Sequence, residues 1–162
     1  MPQTGSGDQT FLIVPSVGTN VCITAGTSSG DTVTLQTIQN PPSSTQLWSA
    51  SFQTNEENGV TVAGFAFINS ASTTPMSITS QGTNQPLVMQ SFSFDSGDQD
   101  AWYIVGSGTL PAVQFVWPGD NTSNWNDFGG QGNPGDTVGL WTGVGSNSIW
   151  QLVVPSPSTP NP

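Results

Sequence analysis

Three tryptophans, Trp48, Trp102 and Trp150, stand about fifty residues apart, within the segments TQLWSASF, DAWYIVGS and SIWQLVVP. Recurrence at a fixed period marks a chain built from repeated units, none of which buries its apolar face alone. The other apolar segments are short and rich in β-branched and aromatic residues, among them FLIV, VCI, TVTL, VTVAGFAFI, PLVMQSFSF, AVQFVW and TVGLW. Turn-forming stretches such as GTSSGD, NPPSST, QTNEENG and PGDNTSN separate them. No segment carries a capped helical stripe, so the pattern predicts an all-β chain of about a dozen short strands.

The units align internally. FLIVPSVGTNVCITAGTSSGDTVTLQ, ahead of Trp48, runs parallel to VQFVWPGDNTSNWNDFGGQGNPGDTVGLW, ahead of Trp150. Both carry Gly-Asp-Thr-Val, beginning at Gly30 and at Gly135, and Leu35-Gln36 matches Leu140-Trp141. FAFINSASTTPMSITSQGTNQPLVMQ keeps the same order ahead of Trp102. This predicts one domain over residues 1–162, with four-stranded repeats at about 9–55, 56–108 and 109–155 and loose termini. Each tryptophan then opens the last core strand of its unit. The Pro- and Ser-rich tail VPSPSTPNP reads as an extended end that adds no strand.

The first tryptophan belongs to a Q-x-W element, Gln46-Leu47-Trp48, whose counterparts are Asp100-Ala101-Trp102 and Ser148-Ile149-Trp150. In triplicate and in register, the pattern resembles the ricin B-type (Q-x-W) β-trefoil lectin family, and is similar to its small fungal, mushroom-type members. The resemblance implies a β-trefoil: a six-stranded barrel capped by three hairpins, with approximate threefold symmetry. Closure would remove sheet edges, which a chain without lysine cannot guard by charge.

Charge narrows the chemistry. Lys and Arg total 0, His is 0, and the formal net charge is −10. Nucleic acid would meet only repulsion, and anionic membranes are disfavoured likewise. Without His or Lys, most general-base and nucleophile-activating arrangements cannot be assembled. Trypsin-like proteases find no cleavage site, which predicts trypsin resistance and suits a protein that survives a digestive tract. The lone Cys22 lies in the apolar run VCITA and reads as a buried small hydrophobe. The N-terminus lacks a signal-peptide pattern and no apolar run reaches membrane-spanning length, so the expected location is cytoplasmic, or exported without a signal peptide, with no membrane insertion. The sequon at Asn121 would matter only on a secretory path.

The resemblance places a shallow sugar pocket in the third unit. Setting Trp125 against Cys22 puts Asp127 at the family's aspartate, Gly130 at its glycine, Trp141 at its aromatic platform and Asn147 at its asparagine, with Ser148 in place of the usual glutamine. The chemistry stands without the family: a carboxylate accepts from vicinal hydroxyls, an amide donates and accepts, and an indole covers the apolar face of a pyranose. Each residue also has a bland reading: Trp141 as core, Asp127 as a cap of the turn NDFGG, Asn147 as turn chemistry. The first unit has Thr24 and Gln36 at the aspartate and aromatic positions, and the second has Thr79 and Gln90, so both are expected to lack the pocket.

The expected function is therefore a non-catalytic lectin for galactose- or N-acetylgalactosamine-type glycans. The resemblance supplies the sugar class and suggests a homodimer and a defensive role. The alternative is a β-trefoil inhibitor of cysteine or asparaginyl endopeptidases, not of trypsin, with an exposed Asn69 or Asn84 as bait. A glycosidase would need two carboxylates about 5–9 Å apart, and only Asp127 with Asp120 or Asp136 come near. Asp95 to Asp100 read as a solvated turn, and no metal or other cofactor is implied.

Overall fold

The computed structural model describes residues 9–57, 60–92, 101–106, 111–118 and 122–156. Its strands are β1 (Leu12–Pro15), β2 (Val21–Thr24), β3 (Thr34–Thr37), β4 (Ser49–Glu57), β5 (Val60–Asn69), β6 (Met76–Thr79), β7 (Val88–Ser91), β8 (Tyr103–Gly106), β9 (Ala112–Val116), β10 (Ser123–Asp127), β11 (Val138–Thr142) and β12 (Trp150–Val153). Six of them close a ring. β1 pairs with β12, β12 with β9, β9 with β8, and β4 with β5. Bridges between Phe65 and Trp102 and between Phe11 and Trp48 complete the circuit. The hairpins β2–β3, β6–β7 and β10–β11 stand on this ring, one per unit.

The tryptophans join hairpin to barrel. All three are fully buried. The indole of Trp48 donates to the carbonyl of Ile23 (3.0 Å), that of Trp102 to Ile78 (3.3 Å), and that of Trp150 to Trp125 (3.1 Å). A buried indole N–H needs an acceptor, and here the acceptor lies at the same place in each hairpin. Phe67, Phe115, Trp102 and Trp125 pack edge-on or tilted in the centre, with Phe115 and Trp125 centroids 4.4 Å apart.

Those acceptors correct the alignment of the units. Ile23 faces Leu35, Ile78 faces Met89 and Trp125 faces Leu140 across their hairpins. Trp125 is thus the counterpart of Ile23, not of Cys22. It follows that Ala25 and Ser80, rather than Thr24 and Thr79, stand where Asp127 stands. Strand side chains alternate faces, so a slip of one residue exchanges the inward and outward sets. Gln36 and Gln90 do match Trp141. Neither of the first two units has an acidic or an aromatic residue at these positions.

The repeated Gly-Asp-Thr-Val now has a physical account. Gly30 and Gly135 take φ of 90° and 94°, where a Cβ is disfavoured. The carboxylate of Asp31 accepts from the amides of Thr27 and Ser28, and that of Asp136 from Asn133. Thr32 and Thr137 bridge to the neighbouring hairpin, and Val33 and Val138 are fully buried. Neighbouring hairpins also join in a cycle. The amide of Gly30 donates to Met89, that of Asn84 to Leu140, and that of Gly135 to Leu35, at 2.7–2.8 Å.

Cys22 is fully buried, and burial pushes its thiol up to about 11, against a smaller opposing effect of Thr24. The folded protein should therefore resist thiol-specific reagents at neutral pH and react only on denaturation. Stoichiometric labelling of the native protein, followed by absorbance, would contradict this.

Candidate functional site

Only the third hairpin carries a long, aromatic turn. From Asp127 to Val138 it takes three residues more than the first unit takes from Ala25 to Val33. Asp127 is fully buried at its base. One carboxylate oxygen accepts from the amide of Gly129 (3.0 Å), the other from Gly132 (2.7 Å), and its main-chain carbonyl accepts from Gly130 (3.0 Å). Burial raises the Asp127 pKa above the ordinary aspartate value. The Gly132 amide opposes that, the nearby Asp136 charge adds to it, and the Gly129 and Gly130 amides oppose it further. Gly132 itself has φ 67° and lies against the backbone of Val17 and Gly18, where a Cβ would come within 2.3 Å of the Val17 carbonyl oxygen.

The extra length carries Phe128 over β11. Its ring rests on Gly139, where a Cβ would lie 2.0 Å from the ring tip. Phe128 then meets Trp141 edge to face, with centroids 6.4 Å apart and planes at 81°. Trp141 is 47% exposed and Phe128 39%, so both present apolar surface to solvent. Trp141 is therefore not a core residue.

Asn147 sits on a 3-10 turn, Ser146–Ser148. Its Nδ2 donates to Oδ1 of Asn126 and to the main-chain carbonyl of Asp127 (3.1 Å). Both amide hydrogens are thus committed, which leaves the side-chain oxygen to meet a ligand donor. These residues border a cleft of about 650 Å³. Asn126 and Asp127 form its base, Phe128 and Trp141 an aromatic wall, and Gly143, Val144, Gly145 and Asn147 another side, with Asn84 of the second unit completing the border.

The structure brings together Asp127, Trp141 and Asn147, but neither Gly130 nor Ser148 borders the cleft. Ser148 is fully buried, and its hydroxyl exchanges hydrogen bonds with the main chain of Gly145. Its counterpart Gln46 is likewise buried and bonded to Thr37 and Gln39, so this position fastens loops. Gly130, at φ 74°, serves the turn. Sequence reasoning missed Asn126 and Phe128. The signal for Phe128 was the extra loop length with an aromatic directly after the aspartate.

Asn69 is not the exposed residue expected. It is buried, donates to the carbonyls of Ser44 and Leu47, and accepts from the amide of Ala71. A strand-end asparagine beside a serine-rich turn looks like surface, but here it fastens the neighbouring 3-10 turn, Ser44–Gln46. Asp120, Asn121 and the cluster from Asp95 to Asp100 lie outside the described residues. Among the described residues no group of three His, Cys, Asp or Glu could hold a metal ion, and no helix is long and apolar enough to cross a membrane.

No family model and no curated protein matches the chain. Solved structures do match its fold. One is a ricin B-like lectin of Macrolepiota procera in complex with lactose, with 20% identity, a TM-score of 0.66, and coverage of 95% of this chain and 100% of that one. Another is the C-half of an earthworm R-type lectin in complex with GalNAc, with 13% identity, a TM-score of 0.61, and coverage of 90% and 98%. A third is the BEL β-trefoil, with 13% identity, a TM-score of 0.61, and coverage of 93% and 94%. The fold is a β-trefoil. Within this β-trefoil the cleft belongs chiefly to the third unit, and the counterparts of Asp127 and Trp141 in the other two units are Ala25, Ser80, Gln36 and Gln90.

Proposed function

We propose that this β-trefoil is a non-catalytic, carbohydrate-binding protein that takes galactose- or N-acetylgalactosamine-type glycans in the third-unit cleft. The observation that carries the reading is the exposed pair Trp141 and Phe128 beside an asparagine whose donors are already spent. An aromatic face suits the apolar side of a pyranose, and a free amide oxygen accepts from a ring hydroxyl. No cation is needed, and the chain has none. The lactose and GalNAc in the neighbouring structures support the sugar class. Binding rather than hydrolysis is favoured because the carboxylates of Asp127 and Asp136 are each engaged with turn amides.

Titration calorimetry with lactose and with GalNAc tests the reading. Trp141→Ala should weaken binding roughly tenfold, about 1.4 kcal/mol. Asn147→Ala should weaken it by a similar factor while the variant stays folded. Unchanged affinity in both variants would remove the site from this cleft, and a wild type that binds no glycan would end the lectin reading. The inhibitor alternative loses Asn69 but keeps the exposed Asn84, and assays against papain and legumain would reveal it. A defensive role in the cytoplasm, or after export without a signal peptide, goes with the lectin reading, and absence of toxicity to a feeding nematode would count against it.

A further inference from the structure

Asn84 occupies an unusual position in the threefold cycle. Gly30 and Gly135 hold the corresponding places in the other two units, each with a positive φ and each donating its amide to the next hairpin. Asn84 keeps that geometry, with φ 66° and its amide 2.7 Å from the Leu140 carbonyl. Glycine would meet the backbone requirement at no steric cost, whereas asparagine tolerates this region at some cost. The turn thus permits asparagine without requiring its side chain.

What the side chain does gain is a place on the cleft. Asn84 is exposed, borders the same cavity as Trp141, and makes no side-chain hydrogen bond among the described residues. Its backbone is held from both sides. Leu140 donates back to Gln85 (3.0 Å), Leu87 donates to Val138 (2.9 Å), and the hydroxyl of Thr83 lies 2.9 Å from that of Ser123. A polar group on so fixed a loop loses little freedom on meeting a ligand. Asn147 and Asn84 reach the cleft from different units, and a volume of about 650 Å³ exceeds what one hexose ring fills.

We propose that Asn84 forms a second subsite, contributed by the second repeat, which hydrogen-bonds the next sugar of a disaccharide or longer glycan whose first sugar lies against Trp141. This rests on the lectin reading, and the test separates the two. Calorimetry would compare methyl β-galactoside with lactose on the wild type, Asn84→Gly and Asn84→Asp. Asn84→Gly restores the residue that the other two units carry, so the fold and the amide bond to Leu140 are kept. Asn84→Asp retains an acceptor and removes the donor.

Asn84→Gly should weaken lactose about three- to tenfold and leave the monosaccharide unchanged. Equal affinity of wild type and Asn84→Gly for lactose, or an equal loss for both sugars, would overturn the second subsite while leaving the lectin reading intact. Failure of the wild type to bind either sugar would overturn both. Any loss in Asn84→Asp, which keeps an acceptor and lacks the donor, should likewise fall on lactose alone, and an equal loss for methyl β-galactoside would overturn the second subsite.

Discussion

Replacing Asp127 by alanine should destabilise the protein by about 2–4 kcal/mol, because the buried amide of Gly132 and the part-buried bond from Gly129 lose their acceptor. Denaturant midpoints at neutral pH would measure this. The same change would loosen the loop that carries Phe128, so loss of ligand in this variant would not by itself identify a contact. Asp127→Asn is nearly isosteric yet turns an amide group toward one of two N–H donors, and it should also destabilise. Its pH dependence has a definite sign. The native pKa of Asp127 is raised by burial above the ordinary value of 3.8, so its ionisation opposes folding above that raised value. As pH falls through the native pKa toward 3.8, the native state takes up a proton before the unfolded chain does, and the wild type gains stability from this group. The penalty of Asp127→Asn should therefore grow on acidification from neutral pH. A penalty that shrinks would show that the carboxylate is not held as described.

Trp150→Ala should cost about 3–5 kcal/mol, the usual range for deleting a large buried aromatic side chain. For a domain of this size that lowers the melting temperature by about 6–20 °C. Two effects combine: a cavity opens under the third hairpin, and the carbonyl of Trp125 loses its donor. Trp150→Phe should cost less, since most of the volume stays. Trp125→Phe provides the contrast. The indole N–H of Trp125 has no partner in the core, so that change removes an unsatisfied donor and should cost less than Trp150→Phe. Calorimetric melting of the three variants checks the order, and a Trp125→Phe penalty equal to that of Trp150→Phe would mean that the indole bonds contribute little.

The architecture was legible because its determinants are local and repeated. Trp48, Trp102 and Trp150 need the same buried niche, and Gly30 and Gly135 need the same left-handed turn. The register within the units was not legible. Cys22, Ile23 and Thr24 are each plausible partners for a tryptophan read in sequence alone, and only the indole bonds to Ile23 and Trp125 decide. Asp127, Trp141 and Asn147, which border one cleft, lie within one hairpin and its following turn, where the family resemblance could place them. Asn84 could not be placed there, because it arrives from another unit through a backbone bond to Leu140 that no sequence interval encodes. Asn69 was misplaced because a polar residue near a turn looks solvated, and Ser148 was carried over from the family's glutamine; both fasten loops from the inside.

Closure of the barrel has a consequence for synthesis on the ribosome. The first strand pairs with the last, from Leu12 opposite Val153 to Pro15 opposite Trp150. Residues 12–15 emerge 135–141 residues ahead of the partners they pair with. During translation the growing polypeptide carries an unfinished sheet with open edges, and no positive charge discourages other strands from adding to them. Six of the ten carboxylates lie at or after Asp95, so the negative charge that keeps finished copies apart is largely missing in that interval, and early closure falls to the apolar segments themselves.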